Sequence, residues 1–393
     1  MLRPTFIGGL ALASALCLPG VANAATITPA EAAGYGAGWL GRSLDDTGYI
    51  ASLSGPDYNT TALAVLALVA AEVGEAQAAA ATTYLFANVD AYVKDGSDDR
   101  PAALATLILV GHARGVDVSA LVTRLLATKQ TTGADAGLFG VQDATYDGTY
   151  RQALSLLALA AVGQTDADAV AWLKNEQCAD GGWMGNNPDP SAACPAFDFN
   201  TFVGEDSNGT ALAVQALVAL GETPAHDPFE FLFDAQNEDG GFAFIPGFDS
   251  DANSTALAVQ ALIAAGEDLA DWEAPDGTPY SFLLGLQLDS GAFTFQGGTV
   301  ANAFATVQVV PALAGKAFPL APAELSTDLP AFPVEVVDTP ESPKPATGPI
   351  RVVDPAPVRE LPATGTDGLA LGLALISSGL VLLGGARVAR RMG

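Results

Sequence analysis

Three groups of side chains in this chain have types and spacings that could do chemistry. The first is a recurring set of carboxylates and amides, each placed just ahead of or inside the start of an apolar segment: Asp57 and Asn59, Asp98 and Asp99, Asp147, Asp206 and Asn208, Asp251 and Asn253, and Asn302. Such residues cap helix starts, where free N–H groups and the positive dipole end suit a polar ligand. Within this set, Asp249-x-Asp251-x-Asn253 has the first three oxygen spacings of a calcium loop. Ser254 stands where that loop has glycine, however, and Gln260 where it has glutamate. The second group is Cys178 and Cys194, the only cysteines after the N-terminal apolar segment. An even pair in an exported chain reads as one disulfide, with two free thiols as the other reading. The third is Leu361-Pro362-Ala363-Thr364-Gly365, followed by an uncharged run from Gly368 to Ala386 and then by Arg387, Arg390 and Arg391.

Nineteen uncharged residues at ~1.5 Å each make a helix of roughly 28 Å, enough to cross a bilayer core, and the arginines behind it would stop translocation. Pentapeptide, apolar span and basic tail in this order resemble the cell-wall sorting signal of Gram-positive surface proteins. That resemblance implies attack by a sortase cysteine on the Thr364 carbonyl, departure of Gly365, and transfer of Thr364 to an amine of the peptidoglycan precursor. The other end agrees, with a basic start at Arg3, an apolar Phe6–Leu18 and an Ala22-Asn23-Ala24 cleavage site. The expected organisation is a signal peptide over 1–24, a folded domain over 25–318 and a Pro-rich spacer over 319–360. The sorting pentapeptide follows at 361–365, then a transmembrane segment at 366–386 and a basic cytoplasmic tail at 387–393.

Composition fits an exported, folded chain. Without the two processed ends, 12 basic residues face 43 acidic ones, a net charge of −31 that repels nucleic acid. Half of all residues are hydrophobic and only 15% charged, too apolar for a disordered acidic chain. Ten of the 25 prolines fall between Pro319 and Pro357, where apolar periodicity is lost. That stretch reads as an extended, disordered stalk.

The elements that must position these groups repeat. An aromatic or leucine followed by leucine recurs at Trp39-Leu40, Tyr84-Leu85, Leu125-Leu126, Trp172-Leu173, Phe231-Leu232 and Phe282-Leu283. Gln130, Gln177, Gln236 and Gln287 lie four residues after the last four leucines. Three of them continue to a glycine and an aromatic: Gly181 and Trp183, Gly240 and Phe242, Gly291 and Phe293. Each unit reads as a hairpin of two helices. The first is amphipathic and stops at the glycine turn. The second opens on a capping residue and is apolar all round, as in Thr210–Leu217 and Thr255–Leu262. Helices apolar on every side must be buried, so six of them form an inner layer and six amphipathic ones an outer layer. The fold class is therefore all-α, a single α/α toroid of six helical hairpins, with an open solenoid as the alternative.

These repeats resemble the QW motif of squalene–hopene-type terpene cyclases and the prenyltransferase repeat superfamily, over roughly Tyr35 to Lys316. The resemblance implies that Gln177, Trp183, Gln236, Phe242, Gln287 and Phe293 bridge one hairpin to the next rather than catalyse. The cyclases' D-x-D-D acid motif is missing, since Asp95-Gly-Ser-Asp98-Asp99 has other spacing and reads as an exposed turn capping the next helix. His112 and His226 are the only histidines, too few for the zinc set of protein prenyltransferases beside a paired Cys178 and Cys194. The thioester sequence of complement-type toroids is missing as well. Cobalamin carriers share the toroid and hold their ligand near such a mouth, though with a second β domain not seen here.

The reading is a wall-anchored surface protein that displays the toroid for binding or adhesion. The candidate rim is Asp57, Asn59, Asp99, Asp147, Asp206, Asn208, Asp251, Asn253 and Asn302. No cofactor is required, while calcium at Asp249, Asp251 and Asn253, or a corrinoid, stay open. The implied partners are sortase, the peptidoglycan precursor and an extracellular ligand, with the membrane met only during sorting. The alternative is an extracellular enzyme of this fold acting on a lipid or polysaccharide.

Overall fold

The computed structural model describes residues 27–44, 47–141, 148–185, 194–198 and 203–333. The expected signal peptide, sorting pentapeptide, transmembrane segment and basic tail lie outside these residues, as does Asp147. Among the described residues no helix is long and apolar enough to cross a membrane.

The chain builds six units. The first holds α1 (Pro29–Ser43), β1 (Ile50–Ser52), β2 (Gly55–Asp57) and α2 (Tyr58–Ala71). The second holds α3 (Glu75–Ala87), a short α4 (Val89–Val93), β3 (Lys94–Asp95), β4 (Asp98–Asp99) and α5 (Pro101–Ala113). The third is α6 (Ser119–Ala127) and α7 (Gly148–Ala161). The fourth is α8 (Ala167–Asn175), β5 (Trp183–Met184), β6 (Glu205–Asp206) and α9 (Ser207–Ala219). The fifth pairs α10 (Pro228–Ala235) with α11 (Ala252–Ala265). The sixth adds a 3-10 turn (Leu269–Trp272), α12 (Pro279–Gly285) and α13 (Ala303–Leu313).

Helices α2, α5, α7, α9, α11 and α13 pack side by side in that order, and α13 packs back on α2. The ring is closed. Its inner helices are buried on every side: Ala64 to Leu68 covers more than a full turn of α2 at no more than 1% exposure, so the bore is packed with side chains. The all-α expectation needs one addition. Three short antiparallel ribbons, β1–β2, β3–β4 and β5–β6, form in the loops that enter α2, α5 and α9.

The glycine turn is not a helix cap, contrary to the sequence expectation. Helix α8 ends at Asn175, and Gly181 sits beyond it in a tight loop closed by the Cys178 N–H on the Gly182 carbonyl at 2.8 Å. Gly181 has φ +94°, and a Cβ there would meet the Asp227 carbonyl at 1.9 Å, so only glycine lets the loop touch the next unit. The motif glutamines make the bridge the resemblance implies. Gln177 Nε2 donates to the His226 carbonyl, Gln236 Nε2 to that of Trp272 (2.8 Å), and Gln287 Nε2 to that of Ala32 (2.8 Å). The aromatics are tied by threonines not singled out in the sequence. Thr210, Thr255 and Thr306 accept the backbone N–H of Trp183, Phe242 and Phe293 at 2.8–2.9 Å. Thr61 does the same for Ile50, and Gln152 for Phe139.

The expected domain end at 318 is too early. Residues 317–333 fold back as a strap. Phe318 and Leu320 are buried, and the Phe318 N–H donates to Gln215 Oε1 on α9. The strap then runs beside α3, with the Gly74 and Glu75 N–H groups donating to the Asp328 and Ser326 carbonyls. It ends along α1, where Leu329 and Pro330 lie against Gly41 and Gly38 and Phe332 meets Tyr35 edge-on at 5.3 Å. Glycines remove the side chains that would hold the strap away.

Candidate functional site

The inner helices begin at one mouth, and their starts are stitched together. The Thr149 N–H at the start of α7 donates to the Gly185 carbonyl, Ser207 of α9 to Phe244, and Ala252 of α11 to Phe295. Each acceptor belongs to the loop that leads into the next inner helix. Several N–H groups expected to face a ligand are therefore spent on the neighbouring unit.

The rim residues divide into three roles. Asp57, Asp206 and Asn302 cap their own helices, accepting from the backbone of Thr60 (2.9 Å), Gly209 (2.7 Å) and Ala305 (2.9 Å). Asp251 does so most fully: its Oδ1 accepts from the Asn253 and Ser254 N–H groups and its Oδ2 from the Ser254 hydroxyl at 2.7 Å. Burial at 4% exposure raises its pKa to about 6, against the lowering effect of those hydrogen bonds. Asp249 is exposed. Of the calcium-spaced residues, then, Asp251 accepts from α11's own donors and Asp249 stands in solvent.

Asp99 is not a rim group. It takes two bonds from the Arg124 guanidinium on the outer helix α6, at 2.9 and 2.5 Å, which holds its carboxyl below the usual range. The cap of α5 is Arg100, which makes no side-chain capping bond to the helix, so the Asp98-Asp99 turn does not cap it.

The amides remain. Asn59 Oδ1 accepts from the Tyr92 hydroxyl at 3.2 Å. Asn208 Oδ1 and Asn253 Oδ1 are buried and have no hydrogen-bond partner among the described residues. They occupy the same position, the second residue of α9 and of α11, on adjacent helices. An acceptor buried without a donor costs about 1–3 kcal/mol, so the fold holds two such groups at its mouth.

Beside them, Cys178 and Cys194 are joined in a disulfide with Cα atoms 5.7 Å apart. Their sulfurs lie within 4.8 Å of the Glu205 carboxylate, but oxidised sulfurs do not make a metal site. Glu205 is half-buried. Desolvation first, then the neighbouring Asp180 carboxylate, pushes its pKa up to about 8, so it holds a proton at neutral pH. Sequence reading missed this pair because Asp180 sits in the glycine turn and Glu205 in β6, brought together only by the hairpin.

It also missed a tyrosine stack. Tyr49 meets Tyr84 at 4.9 Å, Tyr84 meets Tyr58 at 5.9 Å, and Tyr58 meets Tyr92 at 5.9 Å, the last two nearly parallel. The stack runs from the outer helix α3 to the first residue of α2, next to Asp57. Burial raises the Tyr92 pKa and pushes that of Tyr84 up to about 12. Of the histidines, His226 contributes only backbone groups to Gln177, and His112 lies half-buried on α5.

The family model of the prenyltransferase alpha-alpha toroid domain matches residues 206–310, which span α9 to α13. A search of the curated proteins finds no match to the chain. The family match and the closed ring agree on a prenyltransferase-type α/α toroid.

Proposed function

We propose that this chain is a secreted, cell-wall-anchored surface protein whose toroid is a binding or adhesion domain, with the mouth as its recognition face. Sortase joins Thr364 to the peptidoglycan precursor, and the residues beyond the strap carry the toroid outward. The observation that carries the binding role is the pair of unpartnered acceptors, Asn208 Oδ1 and Asn253 Oδ1, set at matching places on adjacent inner helices. A ligand whose N–H or O–H donors displace what covers these two atoms would satisfy both. The packed bore supports surface recognition over a reaction in an enclosed chamber. The acidic surface adds selection against anionic ligands.

Two measurements test this. Thr364→Ala should move the protein from the wall fraction to membrane or medium, and its continued covalent attachment to peptidoglycan sinks the anchoring half. Purified protein should be retained on isolated wall polymer, with an Asn208→Ala/Asn253→Ala double variant retained several-fold less. Equal retention sinks the rim half.

A second reading rests on Glu205 and Asp180. Burial keeps Glu205 protonated, as a general acid must be. Asp180 hydrogen-bonds to it and so stands closer than the ~5 Å or more that separates the two carboxyl groups of a glycosidase. This reading makes the protein an extracellular polysaccharide hydrolase. Release of reducing ends from wall glycan, lost in Glu205→Gln, would favour it; identical release by wild type and variant removes it.

A further inference from the structure

On the outer wall, helix α10 and the 3-10 turn 269–272 frame an open cleft of about 530 Å³. That is within the range of small-ligand sites, roughly 300–1,000 Å³. Its floor is aromatic. Phe229 meets Trp272 edge-on at 6.1 Å, and Phe233 approaches the same indole at 6.4 Å. Its lip is acidic, formed by Asp227, Glu230, Asp234 and Asp271, and no lysine or arginine lines it.

Two features work against stability. Phe233 is 67% exposed, a large apolar ring left in water on a helix whose Phe231 and Leu232 are buried. Glu230 and Asp234 stand four residues apart on one helix, a like-charge spacing that destabilises it. Neither they nor Asp271 take part in any ion pair among the described residues. A cation seated on the rings would cover Phe233 and relieve the repulsion together.

The floor and the lip also select the kind of cation. A metal ion needs converging oxygen ligands, and these carboxylates form no such group. Aromatic faces instead attract a diffuse organic cation, and carboxylates around them balance its charge. We infer that this cleft is a binding site for an organic ammonium group, one bearing its charge on an alkylated nitrogen. It is separate from the rim and independent of the anchor. Free small molecules and lysine side chains of a polypeptide are the two sources of such a group.

The test is calorimetric titration of the intact protein with choline and, at matched ionic strength, with its neutral carbon isostere 3,3-dimethylbutanol. Choline should bind saturably and the isostere several-fold more weakly. Phe233→Ala should weaken choline about fivefold, as expected for an exposed cation–π contact. Glu230→Gln/Asp234→Asn should weaken it similarly, and added salt should weaken wild-type binding. All three positions are exposed, so the variants should stay folded, and Glu230→Gln/Asp234→Asn, freed of its like-charge pair, should melt no lower than wild type. Competition by a lysine homopolymer would show that a polypeptide can deliver the ammonium, whereas its failure to compete assigns the site to small molecules. The inference is overturned if choline gives no saturable binding, if the isostere binds equally, or if wild type and both variants bind choline alike.

Discussion

Gln287 and Ala32 are 255 residues apart, yet the Gln287 side-chain amide donates to the Ala32 carbonyl at 2.8 Å. The same Nε2 also donates to the Gly291 carbonyl at 3.0 Å, so one side chain ties the last glycine turn to the first helix. This bond lies on the seam where α13 meets α1 and α2, the contact that makes the ring a ring.

Gln287→Ala should therefore destabilise the domain by about 1–3 kcal/mol, the cost of leaving a carbonyl without its donor. Gln130 is the control. Among the described residues its amide donates to Gly140 within its own turn and to no other unit, so Gln130→Ala should cost less. Denaturant unfolding of the two variants decides it, and a larger loss at Gln130 would contradict the seam role.

The strap should behave as part of the domain. Phe318 is 7% exposed in the main core cluster, and a buried Phe→Ala change costs ~3–5 kcal/mol. Gly38→Ala attacks the same element from α1, because the new Cβ would fall 1.9 Å from the Pro330 carbonyl. Both variants should expose the chain near 318–333 to protease, as read by the fragment pattern. Resistance equal to wild type would return these residues to the spacer.

Thr255 should resist even an isosteric change. Its hydroxyl accepts the buried Phe242 N–H at 2.8 Å, and Thr255→Val keeps the volume while orphaning that donor, at about 1–3 kcal/mol. Thr83, exposed and bonded among the described residues to the Ala79 carbonyl of its own helix, is the comparison and should tolerate valine. Equal melting of the two valine variants would leave the threonine role unsupported.

What was legible follows from periodicity. Six all-apolar helices have only one place to go, so the two-layer toroid could be read from Thr61–Leu68 and its repeats. The bridging by Gln177, Gln236 and Gln287 came through the family resemblance. The threonines were in plain view as the first letter of each inner motif, but an accepting hydroxyl has no periodic signature. The strap escaped because prolines hide its few anchors, Phe318, Leu320 and Leu329. Leu329 and Pro330 seat against Gly41 and Gly38 of α1, which look from sequence like mere weak helix formers. Rim carboxylates were found by type, yet type does not separate Asp251, folded onto its own helix, from Asp99, turned outward to Arg124. The tyrosine stack draws on two units and has no spacing to find.

Glu205 gives a pH dependence with a definite sign. Its pKa rises from 4.5 to about 8 on folding, so between those values the folded chain binds a proton that the unfolded chain has released. Stability then falls as pH rises, and the contribution present below 4.5 is gone above about 8. Asp251 acts with the same sign, but its window runs from 3.8 to about 6. The interval from pH 6 to pH 8 therefore isolates Glu205. Wild type should lose thermal stability across it, and Glu205→Gln, which keeps the neutral shape and cannot ionise, should lose less. The neighbour supplies a second check: Asp180→Asn removes the adjacent charge, lowers the Glu205 pKa, and should shift the loss to lower pH. A Glu205→Gln melting profile parallel to wild type from pH 6 to pH 8 would show that Glu205 ionises as an ordinary carboxylate, and with it would go the protonated acid on which a hydrolytic reading depends.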